Sequence, residues 1–375
     1  MKALFCFGTR PELIKVAPLI REFPGLGITP VVANTGQHSD LLKPLFELFQ
    51  VKPDHDLEVM THGQTLNGLA ARLMERLDPV LVSEKPDVVL VQGDTASALA
   101  GAQAAFNRQI PVAHIEAGLR SGNMMSPFPE EMNRRLITQL ASLNLAATEH
   151  NKNTLLAEGV RSETIQVTGN PVVDALKWTL KHVKPGDAFH DIYARVAGRK
   201  MMVVTTHRRE NFGETMRLHL RALRKFASNH PEVCVVFPVH PNPNVRSAVA
   251  DELMGCESVL MCQPLGYADF AHLLSKAWMM VSDSGGIQEE AATLGKPILV
   301  LRSNTERPEG VFAGVARLAG DQTENLEQLL ESSAHDAAWF AKAATAGAVY
   351  GDGTAAQKTA KALLEQFSVE VRLAA

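Results

Sequence analysis

Cysteine is scarce in this sequence. The four are Cys6, Cys234, Cys256 and Cys262 in 375 residues, and none falls in a C-x-x-C arrangement. No disulfide framework is expected; reduced, buried thiols in a cytoplasmic protein are. Long apolar runs are missing too, since none approaches the roughly 18 residues that a membrane span needs. The apolar run before Gly8 is five residues long, too short for a signal peptide. The thirteen histidines form no H-x-x-x-H pair and no Cys/His cluster, so no metal is expected. Neither sign of charge dominates. The net charge of −4 offers no general attraction for nucleic acid or an anionic membrane, so an anionic ligand must be held by local groups. Two phosphate-binding signatures are also absent: G-x-G-x-x-G with an acid about 20 residues on, and the Walker G-x-x-x-x-G-K-[ST].

What is present is alternation. Short apolar runs alternate with amphipathic segments from end to end, the pattern of a parallel sheet flanked by helices. A length of 375 residues with 46% hydrophobic and 21% charged content suggests two globular domains. The alternation restarts after Lys184 to Gly198, which reads as a linker with Pro185-Gly186 and Ala197-Gly198. The expected domains are residues 1–184 and 185–375, both Rossmann-like, with the ligand in a cleft between them. The last helix, near 354–367, is expected to pack back on the first domain.

The central stretch is Ser282-Asp283-Ser284-Gly285-Gly286-Ile287-Gln288-Glu289-Glu290. The strand Trp278 to Val281 leads into it and a helical pattern follows. A helix start presents N–H groups without intrahelical partners, and glycine lets an anion come close. A diphosphate is the expected guest, with Glu290 one turn on, in reach of ribose hydroxyls. The plain alternative is a tight turn with Ser284 as N-cap.

In the first half, Ala3 to Phe7 is a strand that ends in Gly8-Thr9-Arg10-Pro11, with Arg10 and Lys15 at the start of the next helix. Strand Val88 to Gln92 ends in Gly93-Asp94-Thr95, and Pro111 to Ile115 ends in Glu116-Ala117-Gly118-Leu119-Arg120. A loop then leads to Pro129-Glu130-Glu131. Asp94, Glu116 and Glu130 would thus face one crevice, where mutual repulsion raises at least one pKa, as acid and base roles require. The alternatives are Asp94 as an N-cap, Glu116 paired with Arg120 or Arg134, and Glu130 as a helix-start acid. In the second half, Thr206-His207-Arg208-Arg209-Glu210-Asn211 follows one strand and Thr305-Glu306-Arg307-Pro308 another. His207 and Arg307 are candidates for the diphosphate, and Phe270 lies on a helix, either near the ligand or in the core.

Together the motifs Gly8 to Glu12 with Lys15, Gly93 to Thr95, Glu116 to Arg120, Pro127 to Glu131, His207 to Glu210 and Ser282 to Glu290 resemble the non-hydrolysing UDP-N-acetylglucosamine 2-epimerases. The likeness runs from Lys2 through Gly353. The resemblance implies a glycosyltransferase-B-like fold, usually a homodimer, and no cofactor. It implies interconversion of UDP-N-acetylglucosamine and UDP-N-acetylmannosamine through elimination and re-addition of UDP, in the supply of bacterial surface polysaccharides. By motif match Asp94, Glu116, Glu130 and His207 take catalytic positions. Arg10, Lys15, Phe270, Ser284, Gly285, Gly286, Glu290 and Arg307 take UDP-sugar positions. Some members bind a second UDP-sugar as activator, where Gln37, Arg72, Arg208 and His240 would lie. Asp40 stands where activated members carry Gln, which leaves activation open here. The rival reading is a retaining UDP-sugar glycosyltransferase, which would need no such set of acids.

Overall fold

The computed structural model describes all residues except 38, 209–210, 321–322 and 374–375, and leaves out the side chains of 39–41, 323–325 and 368–373 as well. The chain divides into two units. The first is Met1–Ala175 with Tyr350–Ala375, and the second is Leu176–Val349. Each is a doubly wound α/β layer structure with one parallel sheet.

The first sheet has seven strands: β1 (Lys2–Phe7), β2 (Thr29–Asn34), β3 (His55–Asp56), β4 (Val88–Gln92), β5 (Val112–Ala117), β6 (Leu143–Ala146) and β7 (Ile165–Val167). Their order is β3-β2-β1-β4-β5-β6-β7, all parallel. The second has six: β8 (Lys200–Thr205), β9 (Val233–Pro238), β10 (Val259–Cys262), β11 (Met279–Ser282), β12 (Ile298–Val300) and β13 (Ala316–Leu318). Their order is β10-β9-β8-β11-β12-β13, also parallel. Runs such as Ala3 to Phe7 and Val88 to Val91 are apolar without alternation because both faces of these strands are covered.

The order places each unit's functional edge. Chain direction reverses across the sheet between β1 and β4 in the first unit, and between β8 and β11 in the second. In such sheets ligands bind beyond the carboxyl ends of the strands at that crevice. The loops there are Gly8-Thr9-Arg10 beside Gly93-Asp94-Thr95, and Thr206-His207-Arg208 beside Asp283-Ser284-Gly285. The helix Ala96–Asn107, which follows Gly93-Asp94-Thr95, lies close to the sheet. Its buried face is Ser97, Ala98, Ala100, Gly101, Ala102, Ala104 and Ala105. A side chain at Gly101 would meet Cys6 Sγ at 2.8 Å.

The predicted linker 184–198 is not one. It holds the helix Asp187–Val196, which buries Phe189, Ile192 and Val196. Those positions are spaced 3 and 4 apart, a one-face helical pattern. Pro185-Gly186 and Ala197-Gly198 are its two ends, Gly186 as N-cap and Ala197 in the left-handed region. The final helix, Ala355–Leu373, packs on Arg10–Glu22 within the first unit. Asp174 Oδ1 accepts the Ala356 N–H at 3.1 Å, which fastens its start. The cysteines are free, Cys6 and Cys234 buried and Cys256 and Cys262 half-buried. No described helix is long and apolar enough to cross a membrane.

Candidate active site

In the first unit a buried polar cluster surrounds Glu116. The residue is the last but one of β5, at φ 65°, a left-handed conformation that costs a non-glycine residue about 1–3 kcal/mol. The register of β5 against β6 shifts at the same point, between Ile115 and Ala117. The side chain is 6% exposed. Lys15 Nζ and Asn170 Nδ2 both donate to Oε1, the latter at 3.1 Å, and Gln92 Nε2 donates to Oε2. Glu116 thus takes Lys15 as its cation. Arg120 instead makes a two-pronged pair with Glu158, at 2.8 and 2.7 Å.

Asp94 follows β4 through Gly93, whose φ of 70° turns the chain out of the strand. Thr95, not Asp94, caps the next helix, accepting the Ala98 N–H at 3.0 Å. That leaves the Asp94 carboxylate to Arg134, whose Nε lies 2.8 Å from Oδ2. Arg134 is buried and also donates to Glu131 at 3.0 Å. Glu131 is fully buried. Burial pushes its carboxyl up, but the Ser121 N–H at 2.9 Å and Arg134 outweigh this and hold it below the usual range. Asn133 Nδ2 donates to the Asp94 carbonyl at 2.8 Å, so the helix Glu130–Leu140 is tied to the β4 loop by two of its residues, Asn133 and Arg134. Glu130 is the first residue of that helix and half-buried.

Asp94 and Glu116 are therefore not bare acids. Each carries a buried cation. Beside them is Glu12, an acid that burial pushes up to about 7. It is fully buried. Its Oε2 accepts the N–H groups of Gly8 and Thr9 at 3.1 and 2.8 Å and the Thr9 hydroxyl at 2.7 Å, and its Oε1 accepts Thr95 Oγ1 at 2.7 Å. Glu12 thereby joins the loop that carries Arg10 to the loop that carries Asp94. The spacing Thr9-x-x-Glu12 is a capping-box signature that the sequence contained. Gln92, Asn170 and Arg134 gave no local signal.

In the second unit, Asp283 sits at the carboxyl end of β11, fully buried, and collects the loop after β8. His207 is partly exposed, with its ring stacked on His240 at 5.6 Å between centroids. Burial is the main cause that lowers the His240 pKa, and the neighbouring His207 adds to it. Ser284 occupies the N-cap position of the helix Gly285–Thr293 but makes no side-chain cap bond; its own N–H goes to Ser282 Oγ at 3.0 Å. Gly285 has a specific reason to be glycine. A methyl carbon there would sit 2.4 Å from Arg307 Nη1, so the guanidinium lies against its backbone. Gly286 opens on free space. Arg307 is tethered by Glu289 through Nε and lies 3.8 Å from Glu306. Burial would push the Glu306 carboxyl up, but Arg307, Arg302 and Arg208 bring it down to about 2. Glu290 is buried on the same helix, and Phe270 is half-buried on the helix Tyr267–Lys276.

The residues matched to an activator site are placed as follows. Gln37 Oε1 accepts from Ser97 Oγ at 2.9 Å, and Arg72 donates to the Val59 carbonyl at 3.1 Å and to Gln64. Arg208 gives its N–H to Asp283 at 2.9 Å, and His240 Nδ1 accepts the Asn242 N–H at 3.2 Å. The side chain of Asp40, and Arg209 and Glu210 of the quoted motifs, lie outside the described residues.

Residues 26–364 match the family profile described as UDP-N-acetylglucosamine 2-epimerase. The Bacillus subtilis protein of that name is 43% identical over 369 residues, 98% of this chain and 96% of its own. A crystal structure of UDP-GlcNAc 2-epimerase from Neisseria meningitidis bound to UDP-GlcNAc is 41% identical with a TM-score of 0.90, covering 97% of this chain and 100% of that one. The Methanocaldococcus jannaschii enzyme in complex with UDP-GlcNAc and UDP is 33% identical, with a TM-score of 0.83 over 97% and 100%. A glycotransferase of kitacinnamycin, 15% identical with a TM-score of 0.66 over 98% of both chains, shares the fold alone. The two Rossmann-like units are of the glycosyltransferase-B kind, and the rival reading as a transferase gains no support beyond that. On the profile match and on these identities across nearly the whole length, the chain belongs to the UDP-N-acetylglucosamine 2-epimerase family and is an isomerase.

Proposed function

We propose that this isomerase interconverts UDP-N-acetylglucosamine and UDP-N-acetylmannosamine by breaking and remaking the bond from carbon 1 to UDP. The hydrogen at carbon 2 is not beside a carbonyl, so no enolate is available to loosen it. UDP departs with the bonding pair and carbon 1 gains oxocarbenium character. A carboxylate then takes the carbon 2 proton, whose electron pair closes the double bond of a glycal. UDP adds back at carbon 1 while a proton reaches carbon 2 on the opposite face. Oxidation state is unchanged overall, so no redox cofactor is needed.

The observation that carries this reading is Glu116. A carboxylate removed from water, at a strained strand end, with Lys15, Gln92 and Asn170 upon it, is an expensive arrangement for structure alone. Asp94 and Glu130 are the other acid/base groups. The first-turn amides of the helix Gly285–Thr293, with Arg307, Arg10 and His207, stabilise the charge on the departing diphosphate. Phe270 neighbours the uracil and Glu290 the ribose. The same family reading carries a homodimer and a cytoplasmic location.

The test is incubation with UDP-N-acetylglucosamine in deuterated water, followed by NMR. The expected result is loss of the carbon 2 proton signal together with growth of UDP-N-acetylmannosamine. Epimer formation with full retention of that proton refutes the glycal route. Free sugar, or no change without an acceptor, refutes the epimerisation.

A further inference from the structure

Asp283 has no part in the chemistry above, yet it is completely buried at the end of β11. Its two oxygens are used very differently. Oδ2 accepts four hydrogen bonds, from Thr206 Oγ1 at 2.8 Å, the His207 and Arg208 N–H groups at 2.9 Å each, and Asn211 Nδ2 at 3.1 Å. Oδ1 has no hydrogen-bond partner among the described residues, and it faces His207 Nδ1 at 3.3 Å. A buried carboxylate oxygen can only accept, and leaving it unmet costs about 1–3 kcal/mol or more. The His207 ring is the donor within reach, and it is free enough to turn, at 41% side-chain exposure.

We propose that Asp283 is a positioning residue that fixes His207 as the Nδ1–H tautomer, so that Nε2 is the nitrogen presented to the substrate. The pairing follows from the two oxygens together. Oδ2 sets where the His207 backbone lies, and Oδ1 sets which ring nitrogen holds the proton. In a neutral ring a proton on Nδ1 leaves the lone pair on Nε2. That lone pair takes a proton from solvent before turnover; Nε2 gives it to an oxygen of the departing diphosphate and takes it back on re-addition. This inference rests on the reading that His207 touches the diphosphate.

The experiment uses the full-length enzyme labelled with nitrogen-15 in histidine, at pH about 8, above the ordinary histidine pKa. A two-bond proton–nitrogen correlation spectrum reports the tautomer of each ring, and His207 is assigned by its absence from His207→Asn. The expected pattern is Nδ1–H. In Asp283→Asn the amide oxygen keeps the place on the four donors and the NH2 turns to the ring, so the expected pattern is Nε2–H. There kcat falls by roughly tenfold to a hundredfold while KM moves by less than about threefold. Adding Asp283→Asn to His207→Asn slows it no further. An Nε2–H pattern in the unmodified enzyme overturns the proposal, and so does an Asp283→Asn variant with unchanged kcat. If that variant does not fold, the spectrum of the unmodified enzyme decides. A His207→Asn variant with unchanged kcat overturns the kinetic half and the reading beneath it, and leaves the tautomer to the spectrum.

Discussion

Gly285 and Gly286 stand side by side, and the same substitution at each should fail in opposite ways. At Gly285 an alanine methyl would lie 2.4 Å from Arg307 Nη1 and 2.7 Å from Cζ. Arg307 cannot simply swing aside, because its side chain is 11% exposed and its Nε is bound to Glu289, which is 1% exposed. Breaking a buried pair outright costs about 3–5 kcal/mol. Displacement costs part of that, and alanine returns about 0.5–1 kcal/mol in helix propensity. Gly285→Ala should therefore be less stable by roughly 2–3 kcal/mol on these terms. At Gly286 the methyl meets nothing within 4 Å, so the helix gain stands alone and stability should rise by about 0.5–1 kcal/mol. The cost appears in binding instead. On the proposed function, the methyl fills the space through which a phosphate would reach the first-turn amides. Loss of one charge-assisted hydrogen bond, about 1.5–3 kcal/mol, raises the Kd for UDP by roughly tenfold to a hundredfold. Urea denaturation and titration calorimetry with UDP read the two effects. Wild-type UDP affinity in Gly286→Ala would refute the phosphate cradle, and a Gly285→Ala as stable as Gly286→Ala would refute the tethered guanidinium.

Three further outcomes follow from the first unit. Lys15→Met leaves the buried Glu116 without its cation and should cost about 3–5 kcal/mol in urea denaturation; adding Glu116→Gln should restore most of it, and a double variant as unstable as the single one contradicts the pairing. Glu12 has its pKa raised by burial from an ordinary 4.5 to about 7. The folded chain thus holds that proton more tightly, so its stabilising share is complete below about pH 4.5 and lost as pH rises through about 7, some 3 kcal/mol in all. Glu12→Gln should show a flatter profile of urea midpoint across that window, and an unchanged decline would show that another group is responsible. Asp94→Asn, Glu116→Gln and Glu130→Gln should each lower kcat by more than about a hundredfold with the circular dichroism spectrum retained, and near-normal turnover in any one removes it from the mechanism.

Strand runs such as Ala3 to Phe7 and Met279 to Val281 could be read from the sequence because a strand covered on both faces must be apolar throughout. The turns that follow them could be read because glycine and proline punctuate locally. The short strands β3 and β13, of two and three residues, carry no period to read. The helix Asp187–Val196 was hidden by the Pro-Gly and Ala-Gly pairs that bound it, although its spacing of apolar residues was present. Asp94, Glu116 and Glu130 drew notice as acids at strand or helix ends, but which residue pairs with which was not legible. Lys15 lies 101 residues from Glu116, Asn170 lies 54 away, and Arg134 lies 40 from Asp94.

Sequence periodicity was enough to expect two parallel-sheet halves and to name the polar residues at their strand ends, and six short motifs in order carried the resemblance to the family. These depend on neighbours a few positions apart, where a side chain's size and a backbone's freedom act directly. The order of the strands was needed for the rest. Because β4 lies against β1 and β11 against β8, Glu12 meets Thr95 and Asp283 meets the loop of His207. Such pairings are created by which strands come to lie side by side, a choice made by burial over the whole chain and written in no single segment of it.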